Sequence, residues 1–134
     1  MKKARKKSYA ALKRDLDAVF SRWTRLRFAD AAGIATCCSC GLRASWRVLQ
    51  AGHFVSRSYL ATRFCPENTA TQCVQCNIFK KGNLAAYAAW GVNRYGPDWP
   101  ARMVSLSKET VKYSRSDLQM MIEDYESRLR QLTQ

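Results

Sequence analysis

Seven residues of this chain have the types and spacing of a reactive site. Cys37, Cys40, Cys73 and Cys76 form two C-x2-C pairs with residues 41 to 72 between them, and around the second pair stand His53, the only histidine, Asn68 and Asn77. A two-residue spacer lets both thiolates of a pair face one ion, so the two pairs read as a tetrahedral four-thiolate site for structural Zn2+. A redox pair and disulfides are the competing readings; no secretion signal precedes them, and a reducing compartment disfavours disulfides. A structural zinc contributes roughly 10–16 kcal/mol of apparent binding free energy to folding. That matters in 134 residues, where burial alone leaves a domain marginally stable. The gap between the pairs exceeds the ~15–20 residues of a zinc ribbon, so further structure is inserted there. Cys38 and Cys65 are left over and read as small buried hydrophobes, with Cys38 able to compete with Cys37 as a ligand.

Elements must position these groups, and the apolar pattern predicts which. Leu12, Leu16, Val19, Phe20, Trp23 and Leu26 recur at steps of three and four, which predicts an amphipathic helix from Ser8 to about Ala32, stopped at Gly33. Residues 34–83 lack that period, and segments such as Trp46 to Phe54 read as strands. Asn77 to Trp90 reads as helical with Gly82 a weak break, Gly91 to Pro100 as a connection and Ala101 to Ser107 as a short helix. A final helix is expected from Ser114 or Ser116, with Ser114 and Asp117 at capping-box spacing. Its stripe is Leu118, Met121, Ile122, Tyr125, Leu129 and Leu132. The expected organisation is one compact α+β domain: a basic arm and helix over 1–33, a zinc-bound core over 34–90 and a helical extension over 91–134.

The charge is uneven. The chain carries 23 Lys and Arg against 10 Asp and Glu, net +13, which points to a polyanion and first to nucleic acid. Residues 1–27 hold net +8 and residues 37–83 net +5, with Glu67 the only acid of that core. Arg57, Arg63, Lys80 and Lys81 lie near the proposed site in sequence, and Arg22, Arg25 and Arg27 at the end of the first helix; all seven are candidate DNA contacts. No apolar run approaches the ~18 residues of a membrane span, so a cytoplasmic protein is expected, in a bacterial host cell if phage-encoded.

The string Cys37-x2-Cys40-Gly41, Ala51-Gly52-His53-Phe54, Asn68, Gln72-Cys73-x2-Cys76-Asn77 and Lys80-x-Gly82-Asn83-Leu84 resembles the NinG (Rap) recombination nucleases of lambdoid phages, and more broadly the HNH (ββα-metal) endonucleases. The resemblance implies a ββα-metal core and hydrolysis of phosphodiester bonds in branched recombination intermediates such as Holliday junctions or D-loops. It implies His53 as general base, Asn68 holding the His-bearing loop, and Asn77 as a ligand of one divalent cation, Mg2+ or Mn2+. Histidine suits the base role because its unperturbed pKa lies near neutrality. Many HNH enzymes place an Asp directly before the base, where this chain has Gly52; the NinG-like pattern has an Asp three residues before it, where this chain has Gln50. Gln50 is the candidate second ligand, though its amide oxygen is weak for a hard cation. Asp30, Glu67 or a phosphate oxygen of the DNA are the alternatives. A two-fold junction would suit a homodimer, formed through the C-terminal helix. The alternative function is a catalytically inactive zinc-stapled DNA-binding module, and a third reading, a zinc-ribbon protein-interaction domain, leaves the charge unexplained.

Overall fold

A computed structural model describes residues 6–133, so most of the basic arm before Lys6 lies outside the described residues. Helix α1 (Tyr9–Arg27) starts at Ser8, whose hydroxyl accepts the Ala11 amide and so satisfies one of the orphan N–H groups of the first turn. The helix ends at Arg27, short of the expected Ala32. Asp30 is the reason: its Oδ1 accepts the amides of Ala32 and Ile34 at 2.9 and 3.0 Å, which folds 28–33 into a turn. Gly33, at φ +79°, then leads into β1.

Two small antiparallel sheets follow. In the first, β1 (Ile34–Thr36) pairs with β2 (Arg43–Ser45), and the first cysteine pair sits at the hairpin between them. In the second, β3 (Gln50–His53) pairs with β4 (Thr69–Gln72), with His53 opposite Thr69. The expected strand from Trp46 to Phe54 is shortened because Trp46 to Leu49 forms the turn that carries the chain from one sheet to the other. The sheets are joined where the Cys38 amide and the Thr71 hydroxyl each donate across, to the Thr71 and Thr36 carbonyls, at 2.9 and 2.7 Å. Between β3 and β4 lie α2 (Leu60–Arg63) and a 3-10 turn, Pro66–Asn68.

After β4 a π-turn, Gln75–Phe79, carries Cys76 and Asn77. The helix expected across 77–90 is broken more sharply than Gly82 alone suggests: Lys81, Gly82 and Asn83 all take positive φ, at 50°, 95° and 42°. Helix α3 (Leu84–Tyr95) then runs through Gly91, which the sequence places in a connection. The connection is only Gly96 to Asp98, and α4 (Trp99–Ser107) follows. Gly91 is tolerated inside α3 because Trp99 occupies its side-chain space: a Cβ there would meet the indole ring at 2.0 Å. The last helix, α5 (Arg115–Leu132), opens with the expected capping box of Ser114 and Asp117.

Burial gathers three clusters. Leu12, Leu16, Phe20 and Trp23 of α1 pack on Leu118, Ile122 and Tyr125 of α5 with Phe64 between. Most of the α5 stripe thus packs on α1, with Leu132 at its end left exposed. A second cluster joins Ala35 and Leu49 to the cysteines, and a third centres on Tyr87, Trp99 and Met103. No helix among the described residues is long and apolar enough to cross a membrane.

Candidate functional site

The four cysteines come together. The Sγ atoms of Cys37, Cys40, Cys73 and Cys76 all lie within 4.8 Å of one another. Thiolates held about 2.3 Å from zinc in a tetrahedron stand about 3.8 Å apart, and Cys40 to Cys73 measures 3.7 Å. The set could hold a zinc ion. Two of the sulfurs accept hydrogen bonds: the Cys76 amide donates to the Cys73 sulfur, and Asn83 Nδ2 to the Cys76 sulfur, both at 3.4 Å. Burial acts to raise the Cys37 thiol, but the backbone amides of Cys40, Cys73 and Ser39 outweigh it and bring it down to about 7. Cys38 is no competitor as a ligand. It turns toward the Tyr87 and Trp99 cluster, as does Cys65, and burial pushes its thiol up to about 12.

His53 closes β3, and its ring is fixed from behind. Nε2 lies 2.8 Å from the Arg63 carbonyl; a carbonyl only accepts, so Nε2 carries the proton and Nδ1 keeps the lone pair. Among the described residues Nδ1 has no protein partner, and it is not a sealed-in atom. Burial is the largest influence on the imidazole and lowers its pKa, and the charges of Arg57 and Arg63 lower it further; the Arg63 carbonyl and Asp17 act the other way. The neutral base form is therefore the resting form at neutral pH.

The Arg63 carbonyl is itself held. Its guanidinium donates from Nε and Nη2 to the Asp17 carboxylate of α1 at 2.9 and 2.5 Å, and from Nη1 to the Arg57 carbonyl at 2.8 Å. Asn68, fully buried, clamps the loop after His53: Oδ1 accepts the Val55 amide at 2.9 Å, and Nδ2 donates to the Val55 and Thr62 carbonyls. Tyr87 of α3 donates to the Gly52 carbonyl at 2.9 Å. Helix α1, α2, the 56–68 loop and α3 thus all hold the strand end that presents His53.

Two adjoining hollows open beside this strand. One, about 370 Å³, is lined by Ala51, His53, Arg57, Asn77 and Lys81, and its neighbour, about 560 Å³, by Arg25, Arg47, Gln50, Arg57, Asn77 and Ile78 among others. Among the described residues neither has a carboxylate in its wall. Of the basic residues singled out in the sequence, Arg25, Arg57 and Lys81 line these hollows, and Lys80 is exposed beside them. The other three do not. Arg27 is spent on structure, its Nη2 donating to the Pro66 and Thr69 carbonyls at 2.7 and 2.9 Å while it stacks on Trp23 and Phe28. Arg63 is consumed by Asp17, and Arg22 lines a separate groove between α1 and α5 that also holds Asp15 and Glu126. The sequence reading missed Arg47, whose adjacency to Trp46 is the only local signal, and Asp17, whose partner is 46 residues away.

The residues present do not fit a hard divalent cation. Asn77 Nδ2 donates to Gln50 Oε1 at 2.8 Å, so the Gln50 oxygen is already engaged and one amide oxygen, on Asn77, is left. Glu67 pairs with Arg102 at 2.5 Å and Asp30 with Arg43 at 3.3 Å; neither lines the His53 hollow. The Gly52 position offers no alternative, since a Cβ there would fall 1.9 Å from Gln72 Oε1 in the interior. An ion such as Mg2+ keeps several waters and is ordinarily anchored by one or two carboxylates, and the described residues of these walls supply none.

No curated protein and no solved structure matches the chain. The family model described as bacteriophage lambda NinG protein matches residues 1–134, and with the whole chain covered this protein belongs to the NinG family.

Proposed function

We propose that the chain is a structure-selective DNA endonuclease of the HNH (ββα-metal) type that cuts branched recombination intermediates, Holliday junctions or D-loops. The observation that carries the reading is the state of the lone histidine: neutral, proton parked on Nε2 by a carbonyl, with the Nδ1 lone pair free beside a basic hollow that has no acid. In that role His53 Nδ1 takes a proton from water as the water oxygen bonds to phosphorus and the bond from phosphorus to a deoxyribose oxygen breaks, the departing oxygen taking its proton from solvent water. Arg57 and Lys81 offset charge developing on the phosphoryl oxygens. Asn68 is a positioning residue, and Asn77 borders both hollows, able to orient water or phosphate through its free oxygen. Family membership and the absence of a helix with a base-reading set support recognition by DNA shape.

A second reading has its own observation. The walls lack carboxylates, which favours a zinc-stapled DNA-binding module without catalysis. One experiment separates the two. Wild type and His53→Ala are incubated with labelled linear, forked and four-way junction DNA in Mg2+ or Mn2+. The nuclease reading expects wild type to nick branched DNA, and the variant to lose at least about a hundredfold of that rate with binding and zinc content retained. Equal cutting by the variant overturns the base assignment, and binding without any cutting by wild type establishes the module.

A further inference from the structure

The larger hollow, about 560 Å³, has a composition that phosphate binding alone does not explain. Three guanidiniums, Arg25, Arg47 and Arg57, share its wall with two apolar side chains left facing solvent, Val48 at 64% and Ile78 at 55% exposure. A backbone-tracking groove needs cations; it gains nothing from exposed aliphatic surface, which costs free energy in water. Two of the arginines are also held in place. Arg25 and Arg47 lie over the ring of Trp46, at 5.1 and 4.8 Å from its centroid, and Arg25 donates to the Trp46 carbonyl at 3.3 Å. Pre-set charge at the rim, two exposed aliphatic side chains and an amide from Asn77 match one chemical object, a nucleotide whose base is out of the stack.

We infer that the hollow walled by Arg25, Arg47, Arg57, Val48 and Ile78 is a subsite for one unpaired nucleotide, its base against Val48 and Ile78 and its phosphates on the arginines. Arg57 and Asn77 border both this hollow and that of His53, so a nucleotide seated here delivers a neighbouring phosphate to the imidazole. The inference rests on the DNA reading above and deepens it: the subsite selects DNA in which a base is already unpaired, because seating a paired one costs its unstacking.

The test is a binding measurement that no cutting enters. The full zinc-loaded His53→Ala chain, without added divalent cation, is titrated into a duplex bearing one bulged 2-aminopurine and into the same duplex fully paired. The bulged DNA is expected to bind about tenfold more tightly, roughly 1.4 kcal/mol, with a change in 2-aminopurine emission. Val48→Ser with Ile78→Ser, both exposed and expected to leave zinc content and far-ultraviolet circular dichroism unchanged, should bring the bulged DNA down to the affinity of the paired duplex. Equal affinity for the two duplexes, or a preference that survives the double substitution, overturns the subsite. Because the readout is binding, a wild-type chain that fails to cut leaves this result standing by itself.

Discussion

A single imidazole makes the residue scale testable without ambiguity. Burial, with Arg57 and Arg63, holds His53 below its ordinary pKa of 6.5, so the unfolded chain takes up the proton more readily than the folded one. Stability tied to neutral His53 is therefore complete above the unfolded value and is lost as pH falls through and below it. The thermal midpoint of wild type should fall more between pH 7.5 and 5.5 than that of His53→Gln. Acid loss of zinc affects both proteins equally, so the difference reports the imidazole. The same state would keep a general base unprotonated, and nicking by the wild type should hold its rate to a lower pH than an unperturbed histidine permits.

Elements reach the site through contacts between residues far apart in the chain. The turn from α3 into α4 is set by Trp99, fully buried, whose Nε1 donates to the Glu67 carbonyl at 3.0 Å just before Asn68. Gly91→Ala places a methyl group against that indole. The expected cost is about 1–3 kcal/mol, the usual penalty of overpacking, read as a lower urea midpoint with zinc still bound. Helix α1 contributes in a different way: its apolar face packs on α5, while Asp17 reaches Arg63 and so fixes the carbonyl that orients His53. Arg27 from the same helix donates to the Pro66 and Thr69 carbonyls at the start of β4. Arg27 on this helix is thus a brace between α1 and β4.

At the scale of the whole molecule, zinc and net charge make separate demands. Cys73→Ser with Cys76→Ser should remove one equivalent of zinc and unfold the core joining the two sheets, seen by metal analysis and circular dichroism; a folded, metal-free protein would overturn the staple. The charge of +13 is spread over several surfaces, and among the described residues only Arg25, Arg47, Arg57, Lys80 and Lys81 gather at the two hollows or their edge. Five phosphate contacts imply a log-log dependence of DNA affinity on salt with slope about −4.5. Arg57→Ala or Lys81→Ala should each flatten that slope by about 0.9, measured by fluorescence anisotropy across a salt series. Arg27→Met should leave the slope unchanged and lower stability instead.

Local signals carried much of this protein. The two C-x2-C pairs, the Ser114 and Asp117 capping box and the apolar steps of α1 and α5 are each written within a few consecutive residues, so their chemistry was legible in the chain itself. The family string was legible for the same reason. Tertiary structure decided which charges are free. Arg27 and Arg63 differ from Arg57 only in what folds against them: carbonyls of Pro66 and Thr69, and a carboxylate 46 residues away. It also decided that Gly52 faces Gln72, that Gln50 accepts from Asn77, and that Asp30 and Glu67 pair with arginines away from the His53 hollow. Hydrogen bonds and burial between distant residues have no signature in composition or spacing, and the availability of a side chain depends on them.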